Sequence, residues 1–238
     1  MAGDIRFFSA GPLSVLAVVL LIGLVLFLIP LLFVGIIGAA FTRLGLSWIT
    51  ALALVLLMLA GSFVNIPFYR IRRDMVRVTP LGPDGDELGV PFAVPPVWET
   101  VLSVNLGGGI IPTGIAAYLV FKAVMVTGTS VLPVVSLCTA LVLVISYVTT
   151  HEIAGTGIRV PIFIPALTAL LAGTLLAGGT GLTAAVTALA GGTLGTIAGG
   201  NLARLCHVRD LEVPEISIGG SGTFGAVFLC CVLPALIA

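Results

Sequence analysis

Charge is what this chain lacks. Asp, Glu, Lys and Arg together make up 8% of its residues, against about 25% in a typical soluble domain. No acid or base stands anywhere from Val160 to Ala203, a run long enough for two membrane helices of about twenty residues each. Charge-free stretches also cover 7–42, 44–69, 100–121, 123–151 and 216–238. A soluble domain is excluded.

Other absences narrow the chemistry. His151-Glu152 would open the zinc motif H-E-x-x-H, but Gly155 stands where the second histidine is needed. Cys138, Cys206, Cys230 and Cys231 have neither CxxC nor metal-ligand spacing, and buried cysteine is ordinarily a small apolar residue. Gly107-Gly108-Gly109 lacks the strand-turn-helix setting of a nucleotide loop, and no Walker sequence or nucleic-acid patch is present. The expectation is no cofactor, no metal, no nucleic-acid partner and no catalytic residue.

What is present is apolar. Hydrophobic residues are 59% of the chain and mean hydropathy is +1.27. The apolar runs are unbroken rather than alternating, so an all-α polytopic bundle is expected rather than a membrane barrel. The whole chain, 1–238, reads as one integral membrane domain. Its first apolar stretch is too long for a signal peptide and is expected to stay as a helix.

Seven spans are expected: 12–41, 45–67, 101–121, 129–150, 160–177, 182–203 and 217–238. The segment 101–121 is the one in question, because its glycines and Pro112 also suit a re-entrant loop. Arginine placement decides. If all seven cross, Arg6, Arg70, Arg72, Arg73, Arg77, Arg159, Arg204 and Arg209 fall on one side, against Arg43 and Lys122 on the other. Without that crossing the split drops to six against four. The positive-inside rule then puts the amino terminus in the cytoplasm and the carboxyl terminus outside.

Most loops are short, except a cytoplasmic one at about 69–99 that opens with Arg70-Ile71-Arg72-Arg73. Its basic start sets topology or attracts anionic lipid. Asp84-Gly85 is a turn signal, and Val76, Val78, Val90 and Val94 permit a short hairpin around it. In the sixth span Gly191, Gly195 and Gly199 recur every four residues, with Thr183 and Thr187 before them and Ala203 after. That small face lets another helix backbone approach, either as static packing or as a gating surface. Its expected partner is the seventh span, with Gly219, Gly220, Gly222 and Gly225. Leu189, off the small face, is expected to tolerate truncation.

Five segments carry a family resemblance: 61–67 (GSFVNIP), 104–108 (VNLGG), 155–161 (GTGIRVP), 192–196 (GTLGT) and 218–224 (IGGSGTF). In this order they resemble a widespread prokaryotic family of multi-pass membrane proteins known only as a domain of unknown function. The resemblance implies a prokaryotic plasma membrane and brings no activity with it. It also implies that many members carry Asp where this chain has Asn201, and another where it has Gly225. Two such acids on adjacent helices are what an intramembrane aspartyl protease uses. Pro234-Ala235-Leu236 matches the P-A-L motif of presenilin-like proteases, but the acids are missing here. A hydrolase of that kind is therefore expected to be degenerate.

Asn65, Asn105, His151, Glu152 and Asn201 all fall toward the cytoplasmic ends of the expected spans. Polar groups at membrane depth are costly and usually face a cavity or each other, so they read as a cytoplasm-facing polar vestibule or as interfacial caps. Small-solute transport is the leading functional expectation, beside a degenerate hydrolase and a non-catalytic scaffold or lipid-binding factor. Membrane lipids are the expected partners. Oligomeric state is not legible.

Overall fold

The computed structural model describes residues 12–72, 77–78, 92–93, 99–153, 156–205 and 213–237. Among them run seven α-helices: α1 (Pro12–Arg43), α2 (Trp48–Gly61), α3 (Ile111–Thr127), α4 (Val131–Thr149), α5 (Phe163–Leu176), α6 (Leu182–Gly200) and α7 (Phe224–Ala235). A π-helical turn, Leu106–Ile110, leads directly into α3. Three helical stretches are long and apolar enough to cross a membrane: Leu106–Thr127, Val131–Thr149 and Leu182–Leu205.

The chain is mostly helical but not all-α, and this corrects the expectation. Strands replace parts of three expected spans: β1 (Asn65–Arg72), β4 (Glu99–Asn105) and β7 (Glu215–Ile218). The second span therefore stops at Gly61, the third becomes helical only at Leu106, and the seventh only at Phe224. Pro67 cannot donate to a helix ladder, and Arg70-Ile71-Arg72 alternates as a strand does. β1 lies antiparallel to β4, from Asn65 opposite Asn105 to Arg72 opposite Glu99, with a bulge between Pro67 and Tyr69. β7 joins the other edge of β4 in parallel, Val101 opposite Glu215 and Val104 opposite Ile218. Pairing gives these backbone groups the partners that a helix would otherwise supply.

Four more short strands form two hairpin-like pairs. β2 (Arg77–Val78) pairs antiparallel with β3 (Phe92–Ala93), in keeping with a hairpin in this loop. The expected turn at Asp84-Gly85 and Val76, Val90 and Val94 lie outside the described residues, as do Arg6, Arg73, Cys206 and Arg209. β5 (His151–Ile153) pairs with β6 (Gly157–Arg159), setting His151 opposite Arg159.

Contacts sort the elements to two ends of the bundle. At the strand end, β1, β4 and β7 gather around the starts of α3 and α7. At the turn end, Lys122 Nζ near the end of α3 donates to the Gly45 carbonyl between α1 and α2 at 2.7 Å. Gly181 N, between α5 and α6, donates there to the Ile237 carbonyl after α7 at 3.0 Å. Gly45, and Gly128 between α3 and α4, make tight reversals at this end with φ of 77° and 79°, values that suit glycine.

α6 is the hub. It packs on α3, α4, α5 and α7, and 78% of its apolar window is buried, against 33% and 28% for the other two long helices. Its glycines face α4, not α7 as expected. A methyl group built on Gly191 would sit 2.6 Å from Cys138 Sγ, and one on Gly195 2.7 Å from Val142 Cβ. On Gly199 it would collide with the Leu143 carbonyl. α7 meets a neighbouring face instead, where Gly192 approaches Cys230. Leu189 is fully buried, because a central helix has no exposed side. The outer helices do: Leu137, Leu141, Val144 and Val148 of α4 are exposed.

Candidate functional site: a polar junction at the strand end

Asn105 closes β4 and caps the π-helical turn. Its Oδ1 accepts from Gly108 N at 2.8 Å, and its Nδ2 donates to the Ser62 carbonyl at 2.7 Å and to Asn65 Oδ1 at 2.8 Å. Ser217 Oγ of β7 donates to the same Asn65 oxygen at 2.7 Å. One amide thus ties the end of α2, the strand β1 and the start of α3 together. At 1% exposure it has little room to do anything else.

Asn201, just past α6, builds a second node. Its Oδ1 accepts from Gly219 N at 3.3 Å and its Nδ2 donates to Thr223 Oγ1 at 3.1 Å, so it holds the turn that precedes α7. The two nodes meet through glycine. Gly108 and Gly219 lie backbone against backbone, and a side chain on either would strike the other's carbonyl. A side chain on Gly107 would strike the Met58 carbonyl and the backbone of Gly61 and Ser62, and one on Gly109 would press on the Val104 side chain and the Ile218 carbonyl, so all three successive glycines sit in close approaches. Gly222, with φ of 87°, packs on the Ile158 carbonyl and accepts from Val160 N at 2.9 Å.

Glu152 belongs to a different contact. Arg204 Nη1 donates to Glu152 Oε1 at 2.7 Å, its Nη2 donates to the Tyr147 carbonyl, and its guanidinium lies 4.8 Å from the Tyr147 ring centroid. This clamp fastens the chain after α6 to the end of α4. His151 and Arg159 stay exposed. They border a recess of about 480 Å³ with Val160, Pro161, Ile162, Gly222 and Gly225. The recess lies at the start of α5 and α7, neither of which has a side-chain cap. Helix starts carry a partial positive charge, although Phe224 N already donates to the Gly220 carbonyl at 2.8 Å and Pro165 has no N–H to offer.

A smaller cavity of about 70 Å³ lies beside Asn65, lined by Gly157, Glu215, Ser217 and Ser221 among others. Glu215 accepts from Ser103 Oγ at 2.6 Å across the β4–β7 pair.

Of the five residues singled out in the sequence, Asn65 and Asn105 bond directly, and Asn201 reaches them through the glycine contact. His151 and Glu152 stand apart, one on the recess and one in the clamp. Sequence reasoning missed Ser62, Ser103, Glu215, Ser217 and Thr223. The alternation in Glu215-Ile216-Ser217-Ile218 was the available signal for a strand carrying polar groups on one face.

A family profile described as "Protein of unknown function (DUF1614)" matches residues 59–237, about three quarters of the chain. The match begins inside α2 and takes in both nodes, the clamp and the recess. Comparison with curated proteins and with solved structures returned no match. The chain belongs to the DUF1614 family, a family of unknown function.

Proposed function

We propose that this is a seven-crossing protein of a prokaryotic plasma membrane, with its strand end in the cytoplasm, that binds and translocates a small anionic solute. The recess carries the reading. His151 and Arg159 face each other across a strand pair, no carboxylate is bonded to either among the described residues, and two uncapped helix starts border the same space. Helix starts aimed at anionic groups are a recurrent device of transporters built from interrupted helices.

Cation placement supports the orientation. Arg70, Arg159 and Arg204 belong to the strand end, whereas Arg43 and Lys122 belong to the turn end. We read the recess as the vestibule: His151 and Gly225 border it, and Asn201 supports the turn beside it, while Asn65, Asn105 and Glu152 lie outside its lining. A hydrolase is not proposed, since neutral Asn201 and side-chain-free Gly225 cannot share a proton.

One observation favours a scaffold instead. The side chains of Asn105 and Asn201 are engaged at both ends, as in a lock rather than a solute path. The same experiment separates the two. Purified protein in neutral detergent is melted with acetate, lactate, succinate, phosphate or sulfate, and the anion that raises the melting temperature is then offered to proteoliposomes. Transport predicts saturable stabilisation, its loss in Arg159→Gln, and uptake of that anion. Stabilisation without uptake favours the scaffold, and no stabilisation by any anion overturns the anion reading.

A further inference from the structure

At the turn end, α2 and α3 diverge and leave a groove of about 550 Å³, within the range of small-molecule sites (about 300–1,000 Å³). Leu46, Leu54, Ile111 and Ile115 make its walls apolar. Along the π-helical turn and α3 the lining residues Ile110, Gly114 and Tyr118 are spaced by four, so they form one stripe, and Lys122 is the next residue on it. We infer that this groove seats one acyl chain of an anionic phospholipid whose phosphate rests against Lys122.

Depth and charge choose this occupant. From Ile110 to Lys122 the helix rises about 18 Å, close to the roughly 15 Å of one hydrocarbon leaflet. Lys122 Nζ donates to the Gly45 carbonyl at 2.7 Å and to the Leu44 carbonyl at 3.4 Å, and both acceptors are neutral. The carboxylates among the described residues, Glu99, Glu152 and Glu215, all belong to the strand end. Among the described residues, then, no carboxylate neutralises the ammonium charge at the groove's mouth. Half-exposed Tyr118 and Trp48, with the Ser47 and Thr50 hydroxyls, suit the headgroup level. A free phosphate would use the charge but not the apolar groove.

The test uses the full chain in neutral detergent, offered equal phosphatidylglycerol and phosphatidylcholine with identical acyl chains, and retained lipid is counted by native mass spectrometry. Wild type is expected to retain phosphatidylglycerol over phosphatidylcholine by about fivefold, the preference one surface lysine supplies. Lys122→Gln should bring the ratio close to one. Gly114→Leu should remove bound lipid, because its side chain enters the groove where an added Cβ meets nothing within 4 Å. Leucine is also the better helix former, so its melting temperature should not fall. Equal retention of the two lipids by wild type overturns the assignment, as does undiminished lipid on a folded Gly114→Leu. Displacement of the lipid by millimolar inorganic phosphate, or protection of the groove only in a dimer, also overturns it by assigning the site to a free anion or to a second copy.

Discussion

Replacing Asn105 by alanine tests whether the junction locks the strand end. The substitution removes three hydrogen bonds: two donated, to Ser62 and Asn65, and one accepted from Gly108 N. Side-chain hydrogen bonds in membrane proteins average about 0.6 kcal/mol each, so the two donated bonds contribute about 1 kcal/mol. The larger effect is the Gly108 amide, left buried without its acceptor at a cost of about 1–3 kcal/mol. The sum, about 2–4 kcal/mol, corresponds to a fall in melting temperature on the order of 10 °C for a chain of this size. Asn65 is exposed, and removing its side chain leaves Asn105 its bonds to Ser62 and Gly108, so Asn65→Ala should cost only about 1 kcal/mol. Melting of the detergent-purified single and double variants gives the coupling, expected at about 0.5–1 kcal/mol. If Asn105→Ala proves no more harmful than Asn65→Ala, the lock does not exist.

Gly195→Leu should destabilise by at least the roughly 1–3 kcal/mol of overpacking, since even a methyl group would lie 2.8 Å from the Thr139 carbonyl. Leu189→Ala should be equally severe, about 2–5 kcal/mol, whereas Leu141→Ala on the exposed side of α4 should stay within about 0.5 kcal/mol; a Leu141 effect as large as that of Gly195 contradicts the packing. Glu152→Gln leaves Arg204 without its counter-charge and should cost about 1–2 kcal/mol, with part recovered in the Glu152→Gln, Arg204→Gln double variant; no recovery would show that the clamp is not a pair. Cysteines introduced into intact cells at 128–130 and 178–181 should react with an impermeant maleimide, while those at 213–218 should not. Labelling in the opposite sense would reverse the proposed orientation.

The long apolar runs made helices and membrane residence legible, because composition alone decides both. The strands were less so. Glu99-Thr100-Val101-Leu102-Ser103-Val104-Asn105 suits either period, and what makes it a strand is pairing with β1 along its whole length and with β7, more than a hundred residues away in sequence. Arg70-Ile71-Arg72 did alternate, but a cluster of arginines reads first as a topology signal. Asn105 and Asn201 stood out as polar groups in apolar surroundings, and both lie at nodes of the junction. Their partners did not stand out, since Ser62, Ser217 and Thr223 are ordinary residues whose importance comes from where the chain returns. The glycine spacing showed that α6 has a small face, but not which helix fills it. Neighbours in sequence suggested α7, whereas the close approach goes to α4.

The central place of α6 has a consequence for how the chain is made. A helix surrounded by protein can be built of small residues, and α6 is clearly less hydrophobic than α4. The translocon, however, judges each segment on its own partitioning into lipid as it emerges, and alanine, glycine and threonine favour that step far less than leucine or valine do. On the proposed seven-crossing reading, α6 should enter the bilayer most readily against α4 and α5, which are synthesised before it and offer surfaces that its glycines fit. Transferred alone behind a soluble reporter, it should insert poorly, and the preceding hairpin should restore its insertion.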